Sequence, residues 1–210
     1  MNGFVFAFYR YSRLQHATFL ERLVHVATGD DAIHVAIVPA MVLHRSLYYC
    51  DVGYTAFIGN GVMKQPADEV MLDKNYACYF VPTPHDKEGG AFLESVVGIQ
   101  YNGVSLFSTL LPMRMKRSIP EWISHENDAK MPGKRPALFC SQLGLMLCTI
   151  IGVTDGTMMD PAACSPGDLE RFVIKHASHW CHDPLHGVWS CAHPGIATPT
   201  ATPFSPHRSP

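Results

Sequence analysis

Hydrophobic and polar positions follow two different periods along the chain, and each change of period marks a new element. Residues 3–9 (GFVFAFY) form an apolar run rich in Phe and Val, which predicts a short strand. Residues 17–28 place Phe19, Leu20, Leu23, Val24 and Ala27 at helical spacing, with Gly29 as a stop. Residues 32–38 (AIHVAIV) are a short, nearly continuous apolar run, the pattern of a buried strand, and His34 alone interrupts it. Residues 46–53 supply its hairpin partner across a loop at His44 and Arg45. Gly59-Asn60-Gly61 reads as a turn, and Val62-Met63 begins another extended piece. Residues 76–81 (YACYFV) predict a further strand, ended by Pro82 and Pro84.

Helical periodicity returns over residues 87–97, followed by a turn at Tyr101-Asn102-Gly103. Residues 112–136 carry charge, prolines and little periodicity, as a long surface loop would. Residues 141–151 (SQLGLMLCTII) predict an apolar helix ending at Gly152, and Ser165-Pro166-Gly167-Asp168 opens a last short helix. The order of strand, helix, several strands and two helices implies an α+β class, with an antiparallel sheet packed against helices. Three segments follow: a domain over residues 1–175, a His/Cys-rich extension over 176–193, and a Pro/Ala/Thr/Ser-rich tail over 194–210 expected to be disordered.

Composition narrows the function classes. The chain of 210 residues is 47% hydrophobic and 16% charged, enough apolar content for a core. Lys plus Arg total 16 against 18 for Asp plus Glu, so no basic footprint for nucleic acid exists. No apolar run approaches the ~20 residues that span a bilayer, and the N-terminus lacks the pattern of a secretory signal. A cytoplasmic location is the expectation. Seven cysteines, an odd number at irregular spacing, fit free thiols better than a disulfide framework.

Cys140 stands out among those thiols. It directly precedes an apolar helix, where unpaired N–H groups and the positive end of the helix dipole favour thiolate. His34 is the natural base for such a thiol, since imidazole can take the thiol proton and return it to a leaving group. A third group must hold the other ring nitrogen, and Asp51, on the strand expected beside His34, is the candidate. His176, His179, Cys181, His182, His186, Cys191 and His193 could ligate zinc, but their spacing matches no standard pattern, and a loosely ordered surface segment is the plainer reading.

Together these residues resemble the circularly permuted branch of the NlpC-type papain-like cysteine hydrolases. His34-Val35-Ala36-Ile37-Val38 is similar to the branch's base-bearing strand. Tyr49-Cys50-Asp51-Val52-Gly53 stands where an acidic residue is usual, and Gly61-Val62 and Tyr101-Asn102 follow in the family's order. Cys140-Ser141-Gln142-Leu143 is similar to the nucleophile box, and residues 165–169 (SPGDL) to the closing segment. The resemblance implies a papain-like fold with Cys140 as nucleophile, His34 as base and Asp51 as orienter, and with Tyr101 and Ser141 at the substrate. It implies acyl transfer through a thioester on a peptide, acyl-amide or lipid substrate, with no metal and no cofactor. Two rival readings accompany it: a binding or scaffold protein that has lost turnover, and a lipid acyltransferase or phospholipase of related architecture.

Overall fold

The continuous apolar run of the first strand has a simple cause: both of its faces are covered. The computed structural model describes residues 1–57, 60–101, 137–153, 164–183 and 188–191. In it, β1 (Asn2–Arg10) sends Phe4, Phe6 and Phe8 into one apolar cluster and Val5 and Ala7 into a second. Side chains alternate across a strand, so a strand buried on both sides needs apolar residues at every position.

β1 lies at the centre, antiparallel to β2 (Ala32–Leu43) on one side and to β6 (Tyr76–Pro82) on the other. β3 (Ser46–Tyr49) and β4 (Val52–Phe57) both pair with β2, and β5 (Gly61–Pro66) pairs with β4. On the far edge come β9 (Ser178–Asp183) and β10 (Val188–Cys191), giving the order β10-β9-β6-β1-β2-β4-β5 with β3 off this path. A separate parallel pair joins β7 (Gln100–Tyr101) to β8 (Ala137–Leu138).

One face of the sheet carries α3 (Asp86–Val96), α4 (Cys140–Ile150) and α5 (Pro166–Ile174), whose Leu93, Leu143, Leu147, Leu169 and Phe172 pack on Phe4, Phe6, Phe8, Val35 and Ile37. The other face is closed by α2 (Ala67–Met71), β3 and the β9–β10 hairpin. The sheet curls far enough to bring Trp189 edge-on to Tyr49, ring centroids 6.4 Å apart. α1 (Phe19–Thr28) is capped by a reciprocal Thr18–Glu21 box and leaves through Gly29 at φ 69°, the left-handed stop that the sequence predicts.

Two expectations change, and one element is new. Residues 46–53 are not one strand: the chain breaks at Cys50 and Asp51 and restarts as β4. α2 lacks the length for a visible period. The segment expected as a loose extension supplies two strands of the main sheet, because Trp180 and Trp189 are buried against Cys78 and Phe80. The long loop expected at 112–136 and the tail at 194–210 lie outside the described residues. Among those described, no helix is long and apolar enough to cross a membrane.

Candidate functional site

Sheet register sets one wall of the site. Tyr9 of β1 is the cross-strand partner of both His34 on β2 and Tyr76 on β6, so the three share one face in a row. The ring of Phe57, at the end of β4, stacks on His34 at 4.5 Å with the planes 20° apart. These side chains line a cavity of about 360 Å³, and Cys140 lines it too. The two residues singled out as nucleophile and base, 106 positions apart, both line this one cavity, with no hydrogen bond between them among the described residues.

Cys140 is the first residue of α4. Phe139 before it is extended (φ −112°, ψ 168°), and its carbonyl accepts the Leu143 N–H at 2.9 Å, which starts the helix. No side chain caps this end, so the sulfur has the first-turn N–H groups to itself. The backbone N–H groups of Ser141, of Cys140 itself and of Val35, the residue after His34, favour the thiolate form of the sulfur.

Elements behind the cavity hold α4 in place. Ser141 is fully buried and donates its hydroxyl to the Cys164 carbonyl at 2.6 Å. Ser165 and Asp168 then form a capping box at the start of α5, and Pro166 at the first helical position joins the cavity lining. Asp30 braces this corner, lying 3.1 Å from the Ser165 hydroxyl and 2.6 Å from Arg171 Nη1. A Cβ on Gly167 would fall 2.2 Å from Asp30 Cγ, so the Ser-Pro-Gly-Asp segment needs its glycine for close approach. Ser141, expected at the substrate, is on the cavity lining, while its hydroxyl is spent on the Cys164 carbonyl and anchors the helix start.

The third position is a correction. Asp51 is exposed between β3 and β4, and its carbonyl accepts the Ala67 N–H. The neighbouring register, Ala40 opposite Tyr49, sets it about six residues along β2 from His34, roughly 20 Å at strand spacing. Thr55 takes the place instead: its Oγ1 lies 2.7 Å from His34 Nε2 and 3.2 Å from the Val35 carbonyl. The carbonyl can only accept, so the one hydroxyl proton goes there. Both contacts are then hydrogen bonds only if His34 Nε2–H donates to Thr55, which leaves the Nδ1 lone pair as the base. Sequence reasoning missed Thr55 because it took residues 46–53 as one strand. Pairing β4 by Ala36 opposite Thr55 puts Thr55 on the same face as His34.

Electrostatics also differ from expectation. Burial pushes the Cys140 thiol up to about 11, against the pull of its backbone hydrogen bonds. Burial pushes the His34 imidazole down to about 4. The helix end contributes only about 0.3–1 kcal/mol and does not overcome desolvation. Thr55 is neutral and offers no charge to steady an imidazolium. Both groups rest neutral at the cavity, a thiol and an imidazole, and not as the low-pKa thiolate the sequence suggested.

Tyr101 lies in β7, and its side chain is outside the described residues. In the His/Cys-rich segment His179 stacks on Tyr79 at 5.0 Å, and its Nε2 lies 3.9 Å from Cys181 Sγ. Among the described residues no three His, Cys, Asp or Glu side chains group to hold a metal ion. Comparison of the chain with protein-family models, curated proteins and solved structures returns no match.

Proposed function

We propose that the protein is a thiol hydrolase or acyltransferase of papain-like architecture, similar to the permuted NlpC-type enzymes, that cleaves an amide through a Cys140 thioester. The supporting observation is that Cys140, at a helix start, and His34 line one cavity. In this reading His34 Nδ1 takes the thiol proton as the sulfur attacks the substrate carbonyl carbon. The carbon–nitrogen bond breaks, and the imidazolium returns that proton to the departing amine. Water then attacks the thioester carbon as His34 takes one of its protons, the new carbon–oxygen bond gives the acid, the carbon–sulfur bond breaks, and the proton goes back to sulfur. An acceptor other than water would make the same cycle a transferase.

Because both groups rest neutral, proton transfer accompanies attack rather than preceding it. Thr55 is a positioning residue, fixing the tautomer through Nε2. The Cys140 backbone N–H, at a helix start, is suited to the oxyanion. A thiol-reactive acyl probe with mass mapping of the labelled cysteine tests the proposal. Labelling at Cys140 that is lost in His34→Ala is the expected result, and labelling spread over exposed thiols alone would overturn it.

A second reading, a binding protein that retains the architecture without turnover, is favoured by one observation: Cys140 is only 4% exposed. A probe that occupies the cavity without acylating Cys140 would decide for it.

A further inference from the structure

We propose that Cys181 is a second thiol site, one that forms mixed disulfides with small disulfide molecules and uses His179 as its base. The inference stands apart from the chemistry at Cys140. His179 and Cys181 are two residues apart on β9, so their side chains stand on one face of the strand. His179 Nε2 lies 3.9 Å from the Cys181 sulfur, within the longer reach of a sulfur hydrogen bond. A stack on the Tyr79 ring at 5.0 Å, with the planes 29° apart, fixes the imidazole. The Tyr79 hydroxyl is held in turn by Arg10 Nη2 at 3.2 Å. Cys181 and His179 both line a cavity of about 280 Å³ whose described lining does not include Cys140.

Comparison among the seven thiols singles this one out. Burial pushes Cys78, Cys140, Cys148 and Cys191 up, and Cys164 is buried as well. Cys50 and Cys181 are the two exposed thiols. Of these, only Cys181 has a ring nitrogen in hydrogen-bond reach among the described residues. Burial, and then the Arg13 and Arg10 guanidinium groups, push the His179 imidazole down, so it stands neutral with a lone pair free to accept a proton. Arg13 lines the same cavity, anchored through Nη1 on the Tyr76 carbonyl at 2.7 Å, and its charge steadies the negative charge that exchange spreads over the reacting sulfurs. In the exchange, Nε2 takes the thiol proton as the Cys181 sulfur attacks one sulfur of the small disulfide. That molecule's sulfur–sulfur bond breaks, a new one forms to Cys181, and the departing thiolate takes the proton back from the imidazolium.

The test exposes the full chain to hydroxyethyl disulfide, a small neutral probe, and follows each cysteine by mass mapping. Cys181 is expected to form its mixed disulfide about tenfold faster than Cys50, short of the full effect of a positioned base because the contact is long. In urea the two rates should become equal. His179→Gln should bring the ratio in buffer close to unity. Cys148 is fully buried, so its labelling reports unfolding in any variant. A ratio near unity in the parent, or one as high in urea as in buffer, overturns the inference without recourse to a variant. A tenfold ratio that survives in folded His179→Gln overturns it too, since exposure alone would then account for the reaction. Cys140→Ser should leave the rate at Cys181 unchanged, so failure of acylation at Cys140 and failure of exchange at Cys181 are read separately.

Discussion

Thr55 and His34 are joined at 2.7 Å from neighbouring antiparallel strands, and the same hydroxyl reaches the Val35 carbonyl at 3.2 Å. Val35, the residue after His34, thus carries the carbonyl that fixes the Thr55 hydroxyl. Thr55→Val keeps the shape and removes the bond. Leaving Nε2–H buried without an acceptor should cost about 1–3 kcal/mol of stability, seen as a lower melting temperature. Acylation of Cys140 should slow as well, and Thr55→Ser should restore both. Equal acylation rates in Thr55→Val and the parent would show that the hydroxyl does not position the ring.

Alkylation and acylation should part company at this thiol. A simple alkylating agent reacts with thiolate, and burial holds the Cys140 thiol near 11. The exposed Cys50 and Cys181 should therefore alkylate ahead of Cys140 at neutral pH. An acyl probe that fits the cavity should choose Cys140, because His34 removes the proton during attack. Mass mapping of both reagents on one sample checks this. Cys140 alkylating first would restore the thiolate picture that its place at a helix start suggests.

The pH profile follows from the same pair. Neutral thiol and neutral imidazole coexist between the His34 titration near 4 and the thiol titration near 11. Acylation should run flat across neutral pH and fall only as His34 gains its proton. Thr55→Asp, which sets a carboxylate beside Nε2, should raise the acid limb toward the ordinary imidazole range. A bell centred near neutrality in the parent would contradict the neutral resting state.

Folding stability should depend on His34 in a definite direction. Its folded value lies below the unfolded value of about 6.5, so above that pH neither state is protonated and nothing is lost. As pH falls from there toward 4, the unfolded chain gains a proton that the folded ring refuses. The loss is at most about 3 kcal/mol and is complete near the folded value. His34→Gln should flatten this part of the stability curve, measured as the difference from the parent in urea midpoints. Parallel curves would mean the ring is solvated in the folded state.

What the sequence discloses here is set by period and length. Residues 3–9, 32–38 and 76–81 read as strands because both of their faces are covered, which makes every position apolar. Cys140 and His34 are legible for a related reason, one as a thiol at the start of an apolar helix and the other as a polar break in an apolar strand. Thr55 is silent, since a threonine in a strand is ordinary and only the register between β2 and β4 puts it at His34. Desolvation is equally silent: the cover over Cys140 comes from elements scattered along the chain. The five residues of α2 and the polar alternation of β9 fall below what a periodic pattern resolves.

The β9–β10 hairpin gives the sharpest test of the fold. Its sequence is polar enough to read as surface, yet Trp180 and Trp189 are 5% and 7% exposed and close the face that carries Val5, Ala7 and Phe80. Trp180 is the cross-strand partner of Cys78 on β6 and of Cys191 on β10, so the hairpin is hydrogen-bonded to the sheet and not merely laid on it. Trp189→Ala should cost about 3–5 kcal/mol, the usual loss for a buried tryptophan. Deleting residues 176–210 should cost more, because it strips two strands from the sheet and uncovers an apolar face at once. Truncation after Cys191 keeps both strands and removes only residues without apolar periodicity, so its melting temperature should match the full chain. Thermal unfolding of the three variants ranks them. A chain cut at 175 that melts like the parent would mean the hairpin is dispensable to the core, and the domain boundary would return to residue 175.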